Sequence, residues 1–204
     1  MKFAQNIILK NEDDRQALID FENKLATLTL GERIYVCQST NEGSSQLDFA
    51  KLFILYLSSE KEIVHEIRRI LAWTNQAEKA YFLIDQFTSK NRAVLLTAIE
   101  LIRMLREAVA VTPLINIFTT EDIELAKAII DSLGVMNDLI AIKFLSHTLK
   151  TDIRDLLLHT MKVLSHRTKD VSWDIFKNLL NHEDKEIRRE AAYAIAARKS
   201  PRSA

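Results

Sequence analysis

Stepping by 31 residues from Ile63 lands on Val94, Leu125, Leu156 and Ile187, an unbroken series of branched apolar residues. Four positions after each stand Ile67, Ala98, Ile129, Thr160 and Ala191, and eight after each Leu71, Ile102, Leu133, Leu164 and Ile195. Eleven positions before come Leu52, Leu83, Leu114, Leu145 and Phe176, and seven before come Tyr56, Phe87, Phe118, Leu149 and Leu180. No gap or insertion is needed to keep this register. A fixed period of that size is the signature of a repeat array, and the offsets of four and eight are helical. Each unit therefore reads as helix A, turn, helix B, turn.

Only three Gly and two Pro interrupt the chain. Its Leu, Ile, Ala, Lys and Glu content favours an all-α fold. The unit from Val111 to Asn137 serves as the example. Pro113 sits in the first turn of helix A, where its missing N–H costs nothing. Thr119, Thr120, Glu121 and Asp122 form the turn and supply N-caps to helix B, which runs Ile123 to Leu133 with Gly134 ending it. Neither helix is long enough to be stable alone. At about 1.5–3 kcal/mol per large buried side chain, a unit gains on the order of 10 kcal/mol gross. Ordering its backbone and side chains costs more than that. Stability must come from stacking one unit on the next.

The resulting division is a degenerate N-terminal helical cap and loop over 1–46, five repeats over 47–197, and a basic C-terminal tail over 198–204. Within the cap, residues 2–10 are expected as a short helix. Leu18, Phe21, Leu25 and Leu28 mark a second helix, with Gly31 at its C′ position. Ile34-Tyr35-Val36-Cys37 is open between helix and strand, and residues 39–46 have loop composition. Trp73 and Trp173 are expected at the buried flanks of their helices.

In the last unit, Asp184, Ile187, Arg188, Ala191, Ala194 and Ile195 fit the pattern D-x-x-[VIL]-R-x-x-A-x-x-A-[LI]. With these residues the units resemble HEAT repeats, in the short bacterial form found in phycobilisome lyase-type proteins. The resemblance covers about residues 47–197. It implies a right-handed α-solenoid whose B helices line the concave side. The second and fourth units keep the columns without the Arg. The resemblance also raises two alternatives to a scaffold: a subunit of an enzyme or lyase-like complex, and a HEAT-like nucleic-acid-binding protein or DNA glycosylase.

Lys plus Arg and Asp plus Glu number 28 each, so the net charge is zero. That weighs against a chain that works by coating phosphate backbones. The one cysteine, Cys37, can make no internal disulfide and fits a reducing compartment. The N-terminal apolar run is too short for a signal segment, and no stretch approaches the length of a membrane span. A cytoplasmic protein with no membrane partner is expected.

The pair His65-Glu66 occupies the place where HEAT-repeat deoxyhypusine hydroxylases hold iron. The equivalent positions here, Leu96-Thr97, Lys127-Ala128, Leu158-His159 and Arg189-Glu190, do not repeat it. A zincin reading would need His at position 69, which is Arg. His159 and His166, two turns apart on one helix B, are a weak metal signal. No metal, cofactor or catalytic residue is expected, and a non-catalytic scaffold or adaptor is the expected class.

With core columns at 0, 4, 7 and 8, helical geometry turns columns 2, 6 and 9 to the opposite face. These columns supply the candidate partner-binding residues His65, Arg69, Leu96, Glu100, Arg103, Lys127, Asp131, Leu158, Lys162, Arg189 and Tyr193. The outlying apolar pair Leu96 and Leu158, with Ile99, Ile130 and Met161 along the edge, suggests a groove for a protein segment. The expected partner is another protein, within a larger complex or alone.

Overall fold

The computed structural model describes residues 2–40, 45–58, 61–71, 76–167 and 173–199. All regular elements among them are helical. In chain order they are α1 (Glu12–Leu25), α2 (Leu30–Thr40), α3 (Gln46–Ser58), α4 (Lys61–Leu71), α5 (Gln76–Asp85), α6 (Arg92–Leu105), α7 (Val111–Asn116), α8 (Ile123–Val135), α9 (Leu139–Thr148), α10 (Arg154–Ser165), α11 (Trp173–Leu179) and α12 (Lys185–Lys199). Short 3-10 turns occur at Ala4–Asn6, Gln86–Thr88 and Ala108–Ala110. None of the described helices is long and apolar enough to cross a membrane. Trp73 and the side chain of Trp173 lie outside the described residues, as do positions 41–44 of the expected loop and 200–204 of the tail.

The even-numbered helices α4, α6, α8, α10 and α12 begin at Lys61, Arg92, Ile123, Arg154 and Lys185, each start 31 residues after the last. Leu30, the first residue of α2, stands 31 before Lys61. The odd-numbered helices keep no such interval, starting at Gln46, Gln76, Val111, Leu139 and Trp173.

The chain divides into two compact units, Met1–Ala110 and Val111–Ala204. In unit 1, α1 packs on α3 and α3 on α5, while α2 packs on α4. Leu18, Phe53, Ile54, Leu55, Ile63, Ile67 and Leu83 are fully buried there. Phe82 meets Phe49 and Phe53 edge-to-face at 5.0 and 5.9 Å. In unit 2, α7 packs on α9, and α10 is flanked by α8 and α12. Leu114, Ile129, Leu133 and Leu145 form its centre, beside an edge-to-face pair of Phe118 and Phe144 at 5.0 Å.

The N-terminal region departs from expectation in two ways and takes one of two open alternatives in a third. First, residues 2–10 form a single 3-10 turn followed by a non-helical strap. This strap is anchored by side chains that take up its backbone polar groups. Glu22 accepts from the N–H groups of Phe3 and Ala4 at 2.5 and 3.0 Å, and Ser89 donates to Asn6 O at 3.0 Å. Second, Gly31 does not terminate a helix; it lies in the first turn of α2. Third, Ile34 to Cys37 is helical. The reason is a capping box: Thr29 N–H and Oγ1 both donate to Glu32 Oε2 at 2.8 Å, and Glu32 N–H donates back to Thr29 Oγ1 at 3.4 Å. Arg33 then ties the end of α1, donating to Leu25 O and Leu28 O at 3.0 and 3.2 Å.

Gly134 likewise does not end its helix, since α8 runs to Val135. It faces α10, and a Cβ at this position would overlap Val163 Cγ1. Arg167 closes the α8 terminus from the next pair, donating to Gly134 O at 3.0 Å and to Met136 O. A guanidinium at the carbonyl end of a helix is also favoured by the helix dipole. The turn residues of this unit do cap as the sequence suggests, with Asp122 accepting from Leu125 N–H at 3.0 Å.

Candidate partner-binding face

Polar contacts between successive even-numbered helices recur near the repeat interval. In unit 1, Gln38 of α2 donates to Glu66 of α4 at 3.5 Å, 28 residues apart. Arg68 of α4 meets Glu100 of α6 at 3.1 Å, 32 residues apart. In unit 2, Lys127 of α8 lies 3.7 Å from Asp155 of α10, and Asp131 of α8 lies 2.7 Å from His159 of α10, 28 residues apart. Arg154, opening α10, holds Asp184 at 2.7 Å and also Glu186 at the start of α12. Exposed pairs of this kind each contribute little to stability, so their main effect is to fix which residues on each helix face the neighbour.

The candidate residues consequently divide. Glu100 is already engaged: it accepts from Tyr56 Oη at 2.8 Å as well as from Arg68. Burial first, then the neighbouring carboxylate, raises the Tyr56 hydroxyl above the ordinary tyrosine pKa, while Arg68 opposes the shift. Arg69 binds Glu66 on its own helix at 2.7 and 3.1 Å. That hydrogen bond is the largest cause holding Glu66 below the usual carboxylate range. His65 is exposed on α4, and its neighbour Glu66 is thus engaged by an arginine. Among the described residues, no three His, Cys, Asp or Glu side chains converge to hold a metal ion.

The two leucines do not share an exposed stripe. Leu158 is 7% exposed, and Leu96 is only half-buried. Ile99, Ile130 and Met161, expected along the edge of a groove, are fully buried. The reason for Leu158, Met161 and Ile130 is lateral packing. With α8 and α12 on either side and α9 against it, α10 buries a far wider arc than the single stripe of a lone amphipathic helix. Leu158 therefore presents little side chain to an apolar groove.

Charged and aromatic side chains remain on the outward side of unit 2. Lys162 of α10 is exposed, as is Arg189 of α12. The Arg189 guanidinium lies 5.4 Å from the centre of the Tyr193 ring, one turn further along the same helix. Tyr193 is 57% exposed. Lys162 and Tyr193 occupy the same register position on two helices that pack together. Near the start of α12, Arg154, Asp184, Lys185, Glu186 and Arg189 line a shallow open depression. Asp184 is held below the usual carboxylate range, first by Arg154 and next by the Ile187 N–H it caps. Lys127 and Asp131 sit half-buried at the α8 edge of this face, paired as above, and Arg103 is half-buried on α6 in unit 1.

Periodicity located these helices but missed the pairs between them. The signal was available as opposite charges offset by one repeat plus or minus a few residues, such as Arg68 and Glu100 or Arg154 and Asp184.

No protein-family model matches the sequence. No characterised protein matches it in sequence. Among solved structures, a designed armadillo repeat protein in complex with the peptide (KR)4 superimposes with a TM-score of 0.51 at 14% identity, covering 96% of this chain and 98% of that one. A second designed armadillo repeat protein gives 0.49 at 13% identity, with 96% and 98% covered. The first of these likenesses is one of fold: the chain has the fold of a helical-repeat solenoid.

Proposed function

We propose that this chain is a non-catalytic interaction scaffold that holds a segment of a partner protein on the outward side of its even-numbered helices. In this reading residues 47–197 form a right-handed, HEAT-like array of five 31-residue pairs, and 1–46 form its N-terminal cap. The observation that carries the proposal is the exposed Tyr193 with Arg189 over its ring, together with the exposed Lys162 at the same register position of the helix packed against α12. Tyrosine and arginine are enriched among residues that dominate binding energy at protein interfaces. Helix pairs stacked in a solenoid present such residues on a rigid surface. The designed armadillo protein similar in fold was solved with a peptide bound, which is consistent with a segment-binding role.

His65 and Arg69 occupy the corresponding positions in unit 1 and, with Arg103 on α6, belong to the proposal as a secondary set. Leu158 does not. Selection of a random dodecapeptide display library on the full-length chain tests the reading. Enriched peptides should lose binding to a Lys162→Ser, Arg189→Ser, Tyr193→Ser variant whose helix content and melting temperature match the parent. Failure of any peptide to enrich, or equal binding to the variant, would refute it.

A further inference from the structure

The charges on unit 2 narrow the partner. Its three even-numbered helices, α8, α10 and α12, carry eight Lys and Arg against five Asp and Glu, within a chain of zero net charge. Most of those carboxylates are already engaged: Asp131 by His159, Asp155 by Lys127, and Glu186 by Arg154. Lys162, Lys185 and Arg189 are exposed and have no carboxylate partner among the described residues. Against them stands Glu190, half-buried next to Arg189. The surplus that faces solvent is cationic, and an aromatic ring lies within it.

We infer that the partner segment bound by unit 2 is acidic: a peptide stretch whose Asp or Glu side chains meet Lys162, Lys185 and Arg189, with an apolar or aromatic residue against Tyr193. Charge complementarity of this type sets partner choice and encounter rate more than raw affinity. A nucleic acid fits less well. Its phosphates follow one another without interruption, whereas the cations without a carboxylate partner here are three separate side chains, Lys162, Lys185 and Arg189. A peptide can space its acidic residues to match three separate cations. The inference rests on the scaffold reading and specifies its ligand.

Sequencing the dodecapeptide pool enriched on the full-length chain tests it. The pool should carry net negative charge. A Lys162→Glu, Arg189→Glu variant, checked for parental helix content and melting temperature, should bind those peptides about tenfold more weakly. That variant should in turn enrich net positive peptides. A neutral or basic pool from the parent, or one whose binding survives the charge reversal, overturns the acidic assignment while leaving the scaffold standing. No enriched pool at all removes the scaffold reading itself. A fluorescein-labelled oligothymidylate provides the last arm: binding tighter than the enriched peptides, and lost on charge reversal, would assign the face to nucleic acid instead.

Discussion

Gln86 grips the backbone of Ile8 by both of its polar groups, although 78 residues separate them. Its Oε1 accepts from Ile8 N–H at 2.7 Å, and its Nε2 donates to Ile8 O at 3.0 Å. The same Nε2 lies 3.0 Å from Phe82 O, one turn back. Gln86 is fully buried, so the side-chain amide stands in for a neighbouring strand and lets the non-helical strap 7–9 bury Ile7 and Leu9 in unit 1.

Replacing Gln86 with Leu should therefore cost about 1–3 kcal/mol, the penalty for leaving a buried donor and acceptor unpaired. Urea unfolding followed by circular dichroism would measure it. A loss below about 0.5 kcal/mol would mean that water reaches the Ile8 amide and carbonyl once the side chain is gone.

Gly134→Ala offers a case where helix propensity and packing disagree. In an exposed helix the change gains about 1 kcal/mol. Here the new Cβ overlaps Val163 Cγ1, and Val is confined almost to one χ1 rotamer in a helix. Packing should win, with a net loss of about 1–3 kcal/mol. The double variant Gly134→Ala, Val163→Ala should recover part of that loss. A melting temperature unchanged by the single variant would show that the overlap with Val163 costs only about as much as the propensity gain of about 1 kcal/mol.

Cys37 is fully buried in α2, and burial first, with the Glu66 carboxylate second, pushes its thiol up to about 12. The protonated form is thus favoured in the folded state. Its contribution to stability is fully present below the ordinary thiol pKa near 9 and is lost as pH rises through the folded value. Two results should follow. Alkylation by iodoacetamide at pH 8 should be slow in the native protein and fast in urea, because the thiolate is the nucleophile. The melting temperature should also fall between pH 9 and pH 11 by more than in a Cys37→Ala variant. Rapid native alkylation would contradict the burial.

The even-numbered helices were legible in the sequence because one apolar column, Ile63 to Ile187, records the same contact five times. Their starts in the structure keep that spacing. The odd-numbered helices were less legible. Their starts shift, and α7 is only six residues long, following the 3-10 turn Ala108–Ala110. Glycine in sequence suggests a helix terminator at Gly31 and Gly134, whereas Gly134 sits inside α8 facing Val163, 29 residues on in the next helix pair. The Thr29–Glu32 capping box was present as T-x-x-E and would have settled α2 as a helix. The candidate face was the least legible part. Helical angle tells which residues point away from a helix's own partner. It does not tell which of those are covered by the helices on either side.

Leu158 carries that distinction into an experiment. Opposite its own core column yet 7% exposed, it is covered because α10 lies between α8 and α12. Leu158→Ser should therefore cost about 3 kcal/mol, from lost packing and a hydroxyl brought into an apolar site. Leu96→Ser, at the equivalent but half-buried position on α6, should cost less, about 1 kcal/mol. Urea midpoints of the two single variants give the comparison directly. Should Leu158→Ser unfold at the parental midpoint, the side chain must be open to solvent, and an apolar contribution to partner binding at this position would return. Should it unfold early, any loss of peptide binding in that variant reports folding, and the binding face is left to Lys162, Arg189 and Tyr193.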